Sequence, residues 1–215
     1  MVEQGDKAFE KNLLPSAIDN WKKALEVDKK GKNNDLIYLR IGIAYYQLKN
    51  SPEAINSWKQ ALSLNPKNID AQYNLGQVYL DEKNWLEAEK FYGQIIRLAP
   101  SEKNAYFNLG LAYIYQGKKD LAQGTFEKLL KLEPNNTSAL FNLGALHYEG
   151  KRYSQAAENW EKSIKLDPGN ADFNYYLALA YYQLAQKPKA KDYCQKALKI
   201  QPEHVNAQKL LKLVQ

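Results

Sequence analysis

The sequence predicts an all-α protein made of tandem helix hairpins, and three observations carry that prediction. Five of the eight prolines, Pro66, Pro100, Pro134, Pro168 and Pro202, follow one another at intervals of 34 residues, a period that marks a repeat architecture. At the same interval Gly42, Gly76, Gly110, Gly144 and Ala178 form one column of small residues, and Ala54, Ala88, Ala122, Ala156 and Ala190 form a second. Within a unit, apolar residues recur at three-and-four spacing, from Ala71, Leu75, Val78 and Tyr79 through Ala88, Phe91, Tyr92, Ile95, Ile96 and Leu98, as on the buried stripe of a helix.

Each element follows from this layout. The first helix of a unit stops at a polar break such as Lys49-Asn50-Ser51, Glu82-Lys83-Asn84 or Gln116-Gly117-Lys118. The second opens just after it, with proline in the first turn at Pro52 and Pro188, where the missing N–H costs nothing. The periodic proline closes the second helix, because the residue before a proline is pushed out of the α region. Large apolar columns supply the core: Ile41, Leu75, Leu109, Leu143, Leu177; Tyr45, Tyr79, Tyr113, His147, Tyr181; and Trp58, Tyr92, Phe126, Trp160, Cys194. Small residues in the Gly42 and Ala54 columns let the two helices approach, where bulk would force them apart.

Composition narrows the classes. The 215 residues are 45% apolar and 25% charged, enough for a buried core. The formal charge of +6 is too evenly mixed for a basic tail or a disordered acidic segment. One Cys forbids an internal disulfide, and with two His it cannot build a Cys/His zinc cage. The longest mostly apolar run, near 175–184, is about half of the roughly 20 residues a membrane span needs. Met1 to Asp6 lacks the basic and apolar regions of a signal peptide, so the cytoplasm is the expected compartment.

Spacing and column chemistry together resemble the tetratricopeptide repeat, whose pattern is a Leu-Gly pair, Tyr three on, then Ala, an aromatic, Ala and Pro. Five units, 35–68, 69–102, 103–136, 137–170 and 171–204, fit it without a gap. A sixth, 1–34, is expected upstream, truncated at its start, since Gly5, Ala17, Trp21 and Ala24 align with Gly42, Ala54, Trp58 and Ala61. Residues 205–215 keep helical spacing without completing a pair and are expected to form a capping helix. The resemblance implies a right-handed α-solenoid forming a single array over residues 1–215. Gly93, Gly124 and Cys194 depart from the pattern and predict looser packing in their repeats, each mid-helix glycine costing about 1 kcal/mol relative to Ala.

No enzyme chemistry emerges. His147 stands in the Tyr45 column and reads as a core residue, His204 reads as a surface residue, and Cys194 fills a packing slot where thiols are inert. Gly117-Lys118 and Gly150-Lys151 lack the spacing and the Ser/Thr of a phosphate loop. Neither catalytic residues nor a metal or cofactor are expected.

In tetratricopeptide proteins the first helix of each pair lines a concave groove, and the resemblance places the candidate site there. The sixth column reads Arg40, Asn74, Asn108, Asn142 and Tyr176. Asn amides at repeat spacing can bond the main chain of an extended peptide whatever its side chains. Beside them stand Leu39, Tyr73, Phe107, Phe141 and Tyr175, then Ile43, Gln77, Leu111, Ala145 and Leu179, an apolar and aromatic stripe of the kind that anchors partners. The expected partner-binding residues are Arg40, Tyr73, Asn74, Gln77, Phe107, Asn108, Leu111, Phe141, Asn142 and Tyr175. The clamp with which some members grip a C-terminal carboxylate is absent, since its positions hold Leu39, Ile43, Asn104 and Asn108. Nucleic acid is disfavoured, because Asp70, Asp81, Glu82, Glu87 and Glu89 interrupt any basic stripe. The expected function is a non-enzymatic scaffold for a protein or peptide. The alternative is self-assembly into homo-oligomers through the terminal helices.

Overall fold

A computed structural model describes every residue from Met1 to Gln215 and contains thirteen α-helices and no strand. They are α1 (Val2–Glu10), α2 (Leu14–Val27), α3 (Asn34–Gln47), α4 (Ser51–Leu64), α5 (Ile69–Asp81), α6 (Trp85–Leu98), α7 (Lys103–Tyr115), α8 (Lys119–Leu132), α9 (Thr137–Glu149), α10 (Tyr153–Leu166), α11 (Ala171–Gln183), α12 (Lys187–Ile200) and α13 (Val205–Leu213). The chain forms two compact units, Met1–Gln116 and Gly117–Gln215. In the first, each helix from α1 to α6 packs on the next, and α3 also meets α5; in the second, each helix from α8 to α12 does the same, and α11 also meets α13. Neighbour-on-neighbour packing of this kind is that of an α-solenoid.

The turns explain where the helices stop. The link between the two helices of a pair holds a residue in the left-handed region at Asn12, Lys49, Lys83, Gly117, Lys151 and Ala185, with φ between 57° and 73°. At Lys49 the chain closes as a helix C-terminal motif, the Lys49 N–H bonding to Tyr46 O at 2.9 Å and the Asn50 N–H to Tyr45 O at 2.9 Å. Second helices end on Asn65, Ala99, Glu133, Asp167 and Gln201, whose φ lies between −144° and −132° and ψ between 82° and 93°. That is the extended conformation the following proline imposes.

A column six residues after each of three periodic prolines bonds back to the proline carbonyl. Gln72 donates to Pro66 O at 2.8 Å, Tyr106 to Pro100 O at 3.1 Å and Gln208 to Pro202 O at 2.8 Å. The next first helix is capped by Asn68, Glu102, Asn136, Asn170 or His204, each accepting a backbone N–H of the opening turn. His204 is therefore not a surface residue. It is 8% exposed, caps α13 through Nδ1 and places Nε2 3.0 Å from Asp172 Oδ1.

The core is built from slots between small and aromatic residues. A β-carbon added at Gly5, Gly42 or Gly144 would come within 2.3–2.5 Å of the Trp21, Trp58 or Trp160 indole, and one at Gly76 within 2.8 Å of the Tyr92 ring. The Trp58 N–H reaches Leu39 O at 3.2 Å and the Trp160 N–H reaches Phe141 O at 3.1 Å, both across 19 residues. Hairpin register is thereby the same in both units. The looser packing expected around Cys194 is not found, since Cys194 and its column partner Ala178 are both wholly buried. Where the aromatic shrinks to Cys, the glycine has grown to Ala. Gly93 and Gly124 face open space, with nothing within 4 Å of a would-be β-carbon, so their cost is one of backbone entropy and not of a void.

Candidate functional site

The ten expected binding residues fall on first helices. Seven belong to the first unit, where Arg40 lies on α3, Tyr73, Asn74 and Gln77 on α5, and Phe107, Asn108 and Leu111 on α7. Phe141, Asn142 and Tyr175 belong to the second unit, on α9 and α11.

In the first unit many of these side chains are engaged with neighbouring repeats. The Arg40 guanidinium donates from Nη1 to both oxygens of Asp6, at 3.0 and 3.1 Å. Asp6 also accepts the Trp21 N–H at 3.0 Å, so one carboxylate of α1 orders an indole and an arginine. Asn108, 9% exposed, donates to Tyr73 Oη at 3.1 Å. The Tyr73 ring stands edge-on to Tyr92, with ring centroids 5.7 Å apart. Burial, with Tyr73 alongside, holds the Tyr92 phenol above the usual tyrosine range. Gln77 donates to Asp81 at 3.0 Å, and Asp81 also accepts the Tyr46 hydroxyl from α3. That bond, followed by burial, pushes the Tyr46 pKa up to about 12. Asn74, Phe107 and Leu111 are half-buried on the same set of helices.

In the second unit the expected residues are likewise packed on their neighbours. Phe141 packs on Phe173 and Tyr176 at 5.4 and 5.0 Å, and Tyr175 lies 5.0 Å from the His204 ring. Asn142 turns its amide back to Ser138 O of its own helix at 2.8 Å, a common habit of Asn within helices.

A cleft opens on this face in the first unit. It encloses about 330 Å³ and is lined by Asp6, Phe9, Glu10, Trp21, Arg40 and Ile43. Phe9 and Trp21 meet at 5.7 Å to form its aromatic wall, and Glu10 is exposed at its edge. Of its lining only Arg40 was among the expected binding residues. The signal for Asp6 was available, since the first repeat aligns at an offset of 37 residues and places Asp6 in the column of Ile43, on the same stripe.

Cys194 and His147 are buried. Burial pushes the Cys194 thiol up to about 11, away from the reactive thiolate. Burial, with Arg152 nearby, lowers the His147 pKa. No group of His, Cys, Asp or Glu is placed to hold a metal ion, and no helix is long and apolar enough to cross a membrane.

Comparison with known proteins agrees with this geometry. Family descriptions match along the chain: TPR repeat at 42–83 and 146–184, tetratricopeptide repeat at 69–102 and 107–158, and Fis1 C-terminal tetratricopeptide repeat at 171–215. No curated protein sequence matches the chain. Among solved structures, YrrB, described as a TPR protein with an unusual peptide-binding site, is similar at 23% identity, 89% of this chain, 97% of that one and a TM-score of 0.78. MamA is similar at 24% identity, 76% of this chain, 95% of that one and a TM-score of 0.73. The pilF protein of Pseudomonas aeruginosa is similar at 19% identity, 99% of this chain, 95% of that one and a TM-score of 0.73. At such identities the likeness is one of fold. With repeat matches over 42–102 and 107–215, and with glycine–aromatic slots recurring from hairpin to hairpin, the chain belongs to the tetratricopeptide repeat family.

Proposed function

We propose that this chain is a non-enzymatic scaffold that holds an extended segment of a partner protein on the first-helix face of its N-terminal unit. The observation that carries the reading is the cleft lined by Phe9, Trp21, Arg40 and Ile43. It has an apolar wall for an anchoring side chain, and Glu10 and Arg40 at its edge for polar selection. Asn74, half-buried one repeat beyond Arg40, offers an amide that can accept and donate to a peptide main chain. Asn108 and Gln77 act in this reading through their neighbours, fixing adjacent first helices relative to one another. YrrB, similar in fold and described as having a peptide-binding site, supports the class of ligand.

The test is capture of partners from the native source with the Ile43→Glu and Asn74→Ala variants. Both are expected to fold, as judged by helical circular dichroism, and to lose partners that the parent chain retains. Partner recovery equal to the parent in both variants contradicts the reading. Self-assembly is the second reading, and the exposed Val205 (57%) and Leu213 (60%) on α13 favour it, because apolar side chains left in water are candidates for a contact between copies.

A further inference from the structure

The second-helix face carries three related clefts. In the N-terminal unit one lies over α2, α3 and α4, and another over α4, α5 and α6; in the C-terminal unit one lies over α8, α9 and α10. They occupy equivalent places in the repeat, with Tyr38, Gln72 and Leu140 at the same position of their units. Geometry is shared, so differences in chemistry stand out. In the first cleft Lys22 and Lys29 face Glu26 and Glu53. In the C-terminal cleft Lys131 and Lys162 face Glu127.

The middle cleft is different. About 520 Å³ in volume, it is lined by Lys59, Lys67, Lys90 and Arg97 and by no carboxylate, over an apolar floor that includes Leu62 and the exposed Leu98. Lys90 pairs with Glu87 of its own helix at 3.3 Å, while Lys59, Lys67 and Arg97 are exposed and carry no ion pair. Gln72 also lines it and is only 3% exposed. Its Nε2 is spent on Pro66 O, and its Oε1 is buried without a donor. A buried acceptor left unmatched is costly, and a ligand bearing an N–H would satisfy it.

We propose that the cleft between α4 and α6 binds an acidic peptide segment bearing Leu or Phe side chains. Its carboxylates face Lys59, Lys67 and Arg97, an apolar side chain covers Leu62 and Leu98, and a main-chain N–H is given to Gln72 Oε1. A peptide fits better than an inorganic anion, which has no N–H to give and leaves the apolar floor uncovered. The missing carboxylate clamp concerns first-helix columns and leaves this face untouched. Because the cations are exposed, binding is expected to weaken as salt rises.

The test is a fluorescence anisotropy titration of the full chain with a labelled peptide of alternating Asp and Glu interrupted by Leu and Phe, at low and high salt. A peptide with Lys in place of the acids and a labelled single-stranded RNA run beside it. The acidic peptide is expected to saturate the chain at low salt. The Lys59→Glu/Arg97→Glu variant should weaken it by about tenfold or more, and Gln72→Leu should weaken it as well. Lys131→Glu/Lys162→Glu, in the equivalent C-terminal cleft, and Ile43→Glu, on the first-helix face, should leave affinity unchanged. Absence of saturation, an equal loss in both charge-reversal variants, or preference for RNA over the acidic peptide overturns the proposal. The Ile43→Glu arm separates this outcome from failure of the first-helix reading.

Discussion

At Gly42 a β-carbon would meet the Trp58 indole at 2.3 Å, and this contact explains why the small column was so legible. A slot filled by a tryptophan tolerates no other residue, so the period writes itself in glycine. Gly42→Ala is expected to destabilise by about 1–3 kcal/mol, the usual range for overpacking, and chemical denaturation measures it. Gly93→Ala and Gly124→Ala, where open space awaits the methyl, are expected to do the opposite, raising stability by up to about 1 kcal/mol each. The departure at Cys194 was misread because a column was weighed alone. Its meaning lies in the pair with Ala178, which contact across the hairpin reveals and one column does not. His204 was misplaced for a similar reason, since its role as a cap follows from the column of Asn68, Glu102, Asn136 and Asn170. Ala185 holds φ at 57° without the freedom of glycine, a conformation that costs an L-residue roughly 1–2 kcal/mol. Ala185→Gly should therefore stabilise by a fraction of that cost in the same denaturation assay, the remainder going to added backbone entropy.

Helix-to-helix ties decide how much of the candidate site is free. Helix starts and stops were legible because proline and polar breaks act locally. Which first-helix side chains would be consumed by neighbours was not, because those partners lie a repeat away and depend on rotamers. Arg40 with Asp6, Tyr46 with Asp81 and Asn108 with Tyr73 are such ties, and they turn part of the expected Asn and aromatic stripe into mortar between helices. The Tyr46 to Asp81 tie makes a pH prediction. The Tyr46 pKa stands near 12 in the fold against about 10 in an unfolded chain. The bond contributes fully below pH ~10 and is lost as pH rises toward ~12. Tyr46 is half-buried, but its bond to Asp81 lies at the surface, where solvent screens the effect, so the expected sign is a small extra fall in stability across that window. Tyr46→Phe should flatten it in a pH series of thermal melts.

Over the whole molecule, hairpins that bury their apolar faces on their neighbours make stability local and cumulative. Helix α13 and its C-cap cover the last hairpin with Ala207, Leu210 and Val214, all buried. Deleting residues 205–215 is expected to lower the melting temperature while circular dichroism keeps most of the helical signal. Complete loss of helicity would mean that the hairpins do not stand on their neighbours alone. Light scattering over a concentration series weighs the two functional readings, a constant monomer mass leaving the partner-binding reading without its rival. The repeat fold was legible almost throughout, since a 34-residue period leaves little choice of architecture. The binding face was legible only by column, and the cleft around Phe9 and Trp21 was not, because it arises from a register that linear spacing does not display. The most direct measurement of the central claim places a photo-crosslinking amino acid at Asn74, on the first-helix face, and at Lys23, exposed on α2, and exposes both chains to extract from the native source. Partner adducts at position 74 and none at position 23 are predicted; equal labelling at both, or labelling at 23 alone, contradicts the account.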